Sequence, residues 1–224
     1  MTITFEKKTD QLLQVELFNS QKWKAWYNKA SLNYDIESIL IYKVNMFGSK
    51  LGFVYMEVFG KDKAGNSFPG IVFLRGDSVS ILTTITCTTT SERYIVLTEQ
   101  NRIPAGKPVL ESPAGMLDEG EPSSIAIEEL KEEVGTDIDF SNYNLIPLSG
   151  GYTSPGGTDE YVSIFCYDIL LSPSEIRDLN GRITGNQSEN ENITLRIMTL
   201  DQALQCSESI MTKYAILQYK AINI

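Results

Sequence analysis

The stretch SPAGMLDEGEPSSIAIEELKEEVG, residues 112–135, decides how this chain is read. Pro122 suits the first turn of a helix, Ser123 and Ser124 can satisfy free amides there, and Gly135 can end it, so a helix is predicted over 121–134. Ile125, Ile127, Leu130 and Val134 give that helix an apolar side. Glu129, Glu132 and Glu133 stand at i, i+3 and i+4 and project together, with Glu128 beside them. Like charges at this spacing cost about 0.2–0.5 kcal/mol per pair. They also occupy the C-terminal half of the helix, where the dipole disfavours anions. Such a helix is either the solvated face of a surface element or the holder of a cation that relieves the repulsion. A hard divalent cation, Mg²⁺ or Mn²⁺, takes oxygen ligands and needs no imidazole.

Composition narrows the chemistry around that helix. The 224 residues are 42% hydrophobic and 21% charged, with a formal net charge of −10, and there is no histidine. Every Ser-His-Asp or Cys-His mechanism is thereby excluded, along with the histidine-based zinc sites, which leaves carboxylates, Lys, Tyr, Ser or an oxygen-bound metal. Residues 111–139 hold ten acidic residues against the single Lys131, so nearly all the net charge lies in one place. A pI near 4.6 and no long basic stretch argue against binding long nucleic acid. Cys87, Cys166 and Cys206 are odd in number and far apart, which fits a reduced, cytoplasmic protein. The first residues have no signal-like apolar run, and no segment approaches the roughly 20 apolar residues of a membrane span, so no membrane association is expected.

Before the helix, strands are predicted at 12–18, 39–44, 53–58 and 70–74, a small antiparallel β domain over 1–76. Strands at 79–86 and 93–97 form a hairpin that starts a second domain over 77–224. After the helix come a strand at 161–171, a short helix at 174–179, a polar loop at 181–192 and a strand at 194–199. Thr199 then caps a further helix, and a last amphipathic helix spans 207–221 with Ile210, Tyr214, Leu217 and Ala221 on one face. The expected class is mixed α/β, with a sheet between helices.

The quoted stretch resembles the Nudix box, whose pattern is Gly, five residues, Glu, seven residues, Arg-Glu-apolar-x-Glu-Glu-x-Gly-apolar. Gly115 and Glu121 match its first half, and Glu129, Leu130, Glu132, Glu133 and Gly135 its second. The chain departs in three places: the middle spacer is six residues, Glu128 stands where Arg is expected, and Thr136 replaces the final apolar residue. Outside the box, Glu99-Gln100-Asn101-Arg102 is similar to a segment of the ADP-ribose and ADP-sugar pyrophosphatase branch. The run from Arg102 to Gly115 resembles the plant-type ADP-sugar pyrophosphatases in particular, and Ser154–Glu160 is similar to that branch's downstream Ser-Pro-Gly-Gly-x-x-Glu loop.

The resemblance implies an α/β (α+β) fold, an α/β/α sandwich around a mixed sheet, with an N-terminal domain exchanged across a homodimer. It implies Mg²⁺-dependent hydrolysis of the pyrophosphate bond of a nucleoside diphosphate-sugar, of the ADP-glucose or ADP-ribose type, to a nucleoside monophosphate and a sugar phosphate. UDP-sugars, dinucleotides, or a weakly active binding module are the alternatives. By the same resemblance Glu129 and Glu133 are the principal metal ligands, Glu132 assists, and the carbonyl of Ala114 completes a shell. The loop SerGluAsnGluAsn supplies Glu189 to activate water and Glu191 to reach a metal, with Glu160 as rival base or substrate-orienting acid. Arg102 either meets the substrate phosphate or forms a salt bridge at a strand end. Gly156 and Gly157 either let backbone amides approach the substrate or form a plain turn.

Overall fold

Strand-forming runs separated by glycine and asparagine turns build two sheets, one in each of the two units into which the chain divides. The computed structural model describes residues 1–7, 10–48, 50–117, 120–135, 137–140, 144–185 and 192–222. The first unit comprises Met1–Asp77 with Tyr152–Tyr161, and the second Ser78–Gly151 with Val162–Ile224.

In the first unit, β1 (Thr2–Phe5), α1 (Gln11–Asn19), α2 (Gln21–Asn33), β2 (Tyr34–Phe47), β3 (Lys50–Asp62) and β4 (Ile71–Leu74) follow one another. The sheet runs β1-β2-β3-β4, antiparallel from β2 to β4. β1 joins parallel to β2, so the sheet is mixed rather than purely antiparallel. Residues 12–18, expected as a strand, are helical. Asp10 caps them by accepting the Leu12 amide at 3.1 Å, and Leu17, four residues after Leu13, is fully buried. Ser20 ends this helix and starts the next, its hydroxyl accepting the Trp23 amide at 3.2 Å. Leu17 and Trp23 pack with Ile39, Ile41, Val54 and Met56 from one face of the sheet. Trp23 meets Phe18, Trp26 and Tyr27 at centroid distances of 5.2, 5.6 and 6.1 Å, so the paired tryptophans belong to this core.

The second unit contains β5 (Ser78–Cys87), β6 (Arg93–Arg102), a 3₁₀ turn (Ile103–Ala105), β7 (Lys107–Glu111), β8 (Ala114–Met116) and α3 (Pro122–Glu133). After these come β9 (Leu145–Tyr152), β10 (Tyr161–Leu171), α4 (Pro173–Leu179), β11 (Ile183–Thr184), β12 (Ile193–Thr199), α5 (Leu200–Cys206) and α6 (Ile210–Ile222). The sheet order is β11-β12-β6-β5-β10-β9, with β7 on β6 and β8 on β5. β5 and β10 are parallel and the β5–β6 pair antiparallel, so this sheet is mixed too. Ile81 packs into a core with Ile127 and Leu130 of α3, while its neighbour Leu82 packs into another with Ala215 and Ile216 of α6. Alternation along one central strand thus fills both faces, which puts helices on each side of the sheet. Among the described residues no helix is long and apolar enough to cross a membrane.

Two local expectations are corrected. α3 is capped at Glu121 with no side-chain bond, and the Ser124 amide goes to the Glu121 carbonyl at 3.0 Å rather than to a serine hydroxyl. α6 turns Thr212, Ala215, Ile216 and Tyr219 inward, whereas Ile210 is 77% and Leu217 56% exposed. Polar satisfaction sets this rotation. Thr212 Oγ1 accepts the buried Ser112 amide at 2.8 Å, and Gln218 bonds both the amide and the carbonyl of Ser149. Thr212→Val keeps the side-chain shape and strands the Ser112 N–H, so it should cost about 1–3 kcal/mol in urea unfolding, and an unchanged midpoint would refute this assignment.

Candidate active site

The segment preceding α3 is pinned to the centre of the second sheet. Pro113 O accepts the Ile81 amide at 2.8 Å, and β8 pairs with β5 in the register Val79↔Gly115 and Ser80↔Ala114. α3 lies over the same strand through Ala126, Ile127, Leu130 and Val134. With its apolar side fixed in this way, the helix brings two carboxylates to the strand backbone. Glu133, only 3% exposed, accepts the Ala114 amide on Oε2 at 3.1 Å. Glu129 lies against Gly115 so closely that a Cβ built on Gly115 would overlap its carboxylate. Gly115 is therefore required for its missing side chain. Glu128 and Glu132 are exposed.

Among the described residues no group of three or more His, Cys, Asp or Glu side chains is arranged to enclose a cation by itself. The donor set still suits Mg²⁺. This ion is commonly held by one or two carboxylates and keeps water and substrate phosphate as its remaining ligands. Glu129, Glu133 and the backbone of Ala114 are the residues that would hold it. A cation beside the buried carboxylate of Glu133 fits the electrostatics of the site, because opposite charges attract more strongly there than in water.

Arg102, at the end of β6, donates Nε to Glu111 Oε1 at 2.5 Å, across the β6–β7 pair. The structure thus gives it the strand-end salt bridge that was one of its two expected roles, with its side chain still 41% exposed. Nearby in β6, Glu99 is paired with Arg196 of β12. β11 and β12 pair through Thr184 and Ile193, and Glu189 and Glu191 fall between them in the sequence, outside the described residues.

Glu160, Gly156 and Gly157 belong to the first unit. Glu160 is buried, its Oε2 accepts the Thr153 hydroxyl at 3.0 Å, and its Oε1 lies 3.4 Å from Arg75 Nε. Asp159 accepts the amides of Arg75 at 2.8 Å and Gly76 at 3.1 Å, and burial raises its carboxyl above the usual range despite those bonds. Gly157 O accepts the Phe73 amide at 2.8 Å. Gly156 and Gly157 do not have positive φ, and a Cβ at either would meet nothing within 4 Å. Neither turn geometry nor internal packing therefore asks for glycine at these two positions. Sequence reasoning missed Asp159, Arg75 and Glu111. Asp159 lies inside the Ser154–Glu160 motif at an unspecified position, and Glu111 lies inside the run from Arg102 to Gly115, but Arg75 has no signal of its own.

Residues 78–218 match the NUDIX domain family. The chain is 40% identical over 176 residues to Nudix hydrolase 14, chloroplastic, of Arabidopsis thaliana, a match covering 73% of this chain and 55% of that protein. It is 35% identical over 133 residues to the ADP-ribose pyrophosphatase of Bacillus subtilis (strain 168), covering 57% of this chain and 65% of that one. The matches thus span between about half and two thirds of the length of these curated relatives. The solved structure of an ADP compounds hydrolase superposes with a TM-score of 0.58 at 14% identity, over 85% of this chain and 94% of that one, and so shares the fold. Since the family match starts with β5, carries through α3 and ends within α6, this chain belongs to the NUDIX domain family.

Proposed function

We propose that this protein hydrolyses the pyrophosphate bond of a nucleoside diphosphate-sugar of the ADP-ribose or ADP-glucose type, releasing a nucleoside monophosphate and a sugar phosphate, with Mg²⁺ or Mn²⁺ as cofactor. The observation that carries this reading is the convergence of Glu129 and Glu133 on the backbone of Ala114 and Gly115. When bound, a divalent cation neutralises the pyrophosphate charge and lowers the pKa of the attacking water. The chain's own residues supply the frame. The Ala114 amide fixes the direction of the Glu133 carboxylate, and the bare Cα of Gly115 admits Glu129. Glu132, exposed on the next turn, assists through solvent-facing ligation.

Arg102 is assigned to a substrate phosphate. Its pair with Glu111 uses Nε and orients a guanidinium that carries further donors. Glu160 has both oxygens engaged, which supports an orienting role and leaves water activation to Glu189 or Glu191. Gly156 and Gly157 are assigned to close backbone approach by the substrate, in line with the open space around both. A cytoplasmic location is supported by the free thiols of Cys87, Cys166 and Cys206, with Cys166 pushed up to about 12 by burial and so unreactive.

The first unit is assigned to homodimer formation. The sheet face opposite its core carries the exposed Tyr55, Phe59, Ile71 and Phe73 beside a half-buried Phe53, with Phe53 and Phe73 in ring contact at 5.0 Å and Tyr55 stacked on Tyr42 at 5.1 Å. A contiguous aromatic patch left exposed on a sheet is the kind of surface that a second copy covers.

Three measurements test these readings. Incubation with ADP-ribose, ADP-glucose, UDP-glucose and a dinucleotide, with Mg²⁺ or with EDTA, should give metal-dependent nucleoside monophosphate, fastest from an ADP-sugar. A faster UDP-glucose or dinucleotide reaction would reassign the substrate, and no product from any of them would leave a binding module. Glu133→Gln and Gly115→Ala should each keep the fold and lower kcat/KM by about 100-fold or more and about 10-fold respectively, as loss and displacement of a ligand require. Near-normal rates in both would refute the metal assignment. Light scattering should show a dimer that Tyr55→Glu with Phe73→Glu converts to monomer, and a monomeric wild type would sink the dimer.

A further inference from the structure

Helix α3 ends on Glu133 itself. The last carbonyls of a helix have no partner within it, and an anion in the last turn opposes the dipole, so this is the turn most prone to fray. The amides of Val134 and Gly135 both return to Leu130 O, at 3.0 and 3.3 Å. The Glu133 carbonyl is bound from outside the helix, by the hydroxyl of Thr184 in β11 at 2.5 Å. Two residues earlier, Arg182 Nη1 donates to Asp137 Oδ1 at 2.7 Å, and this guanidinium holds the Asp137 carboxyl below its usual range. Gly135, at φ +138°, lies under that pair, where a Cβ would stand 2.6 Å from Asp137 Oδ1 and 2.9 Å from Arg182 Nη1.

β11 is tied to the sheet in its turn. Thr184 pairs with Ile193 of β12, Arg182 O accepts the Leu195 amide at 2.9 Å, and β12 runs along β6. Glu133 is therefore gripped at both ends, with its carboxylate on β8 and its carbonyl on β11.

We propose that Thr184 and Arg182 form a clasp on the C-terminus of α3 and act as positioning residues for Glu133, keeping its carboxylate on the cation-binding edge of β8. This rests on the cation-binding reading above. The clasp touches neither cation nor substrate. Its effect is on how tightly the cation is held, because fraying of the last turn removes Glu133 from the site without altering the reacting groups.

The test is direct Mn²⁺ binding to the full chain, read by electron paramagnetic resonance without substrate, together with the Mn²⁺ dependence of turnover. Thr184→Val should weaken Mn²⁺ binding about 10-fold while kcat at saturating Mn²⁺ stays within about 3-fold, and Thr184→Ser should restore binding to within about 2-fold of wild type. Arg182→Met, which keeps the hydroxyl, should weaken binding about 3-fold and decides the matter should Thr184→Val fail to fold in a thermal melt. Wild-type Mn²⁺ affinity in the folded variants, or Thr184→Ser binding as weakly as Thr184→Val, would overturn the clasp alone. A wild-type chain that binds no Mn²⁺ would overturn both the clasp and the cation site on which it rests.

Discussion

The carboxylates of one helix laid against the backbone of one short strand are the constraint around which the second unit is organised. Glu129 and Glu133 repel each other, sit toward the unfavourable end of the dipole, and in the case of Glu133 are buried. Nothing in the helix alone would hold them there. They are held because α3 is committed to β5 through Leu130 and its apolar neighbours, while Ala114–Gly115 is committed to the same β5 by the ladder. Each tie involves either full burial or backbone hydrogen bonds, which together outweigh a repulsion of a few tenths of a kcal/mol per pair. β5 is thus the common reference for both halves of the candidate site, and it is buried on both faces.

Polar pins finish what the ladder begins. The segment between β7 and β8 is too short to build its own core, yet Ser112 is fixed from the side by Thr212 of α6. Ser207 adds a second such bond, its hydroxyl donating to Leu110 O at 2.7 Å. The rotation of α6, with an apolar stripe turned outward, follows from these bonds. A stranded buried amide costs about 1–3 kcal/mol, comparable to what burying one leucine gains, and Ala215, Ile216 and Tyr219 supply the apolar burial on the inward face instead. In the first unit the same device recurs, with Asp159 closing on the amides that follow β4.

What was legible in the sequence follows the same division. The central strands and α3 were readable, because β-branched runs and a Pro122-to-Gly135 frame are local signals backed by burial. Leu12–Phe18 was misread because its apolar residues fit a strand or a helix equally, and the deciding feature, the Asp10 cap, lies before the run. The inward face of α6 was misread because hydrophobicity ranks Leu217 above Thr212, and only the partner at Ser112 reverses that order. Of the site, Glu129, Glu133, Ala114 and Gly115 were legible as a motif. Their meeting at one edge depends on register, which no single segment encodes. The exposure of Glu132 follows from helical phase once Leu130 and Glu133 are buried.

That phase also explains why the departures from the box leave the acids in place. Removing one residue from a helical spacer rotates everything beyond it by about 100° relative to what precedes it. Here the shortened spacer lies between Glu121 and Glu128, and Glu121 is the N-cap, exposed and outside the apolar contact. Ala126, Ile127, Leu130 and Val134 lie on the same continuous helix as Glu129 and Glu133, and it is these residues that set the helix on β5. Around Glu133 itself the Ala114 amide bonds the carboxylate and the Thr184 hydroxyl bonds the carbonyl.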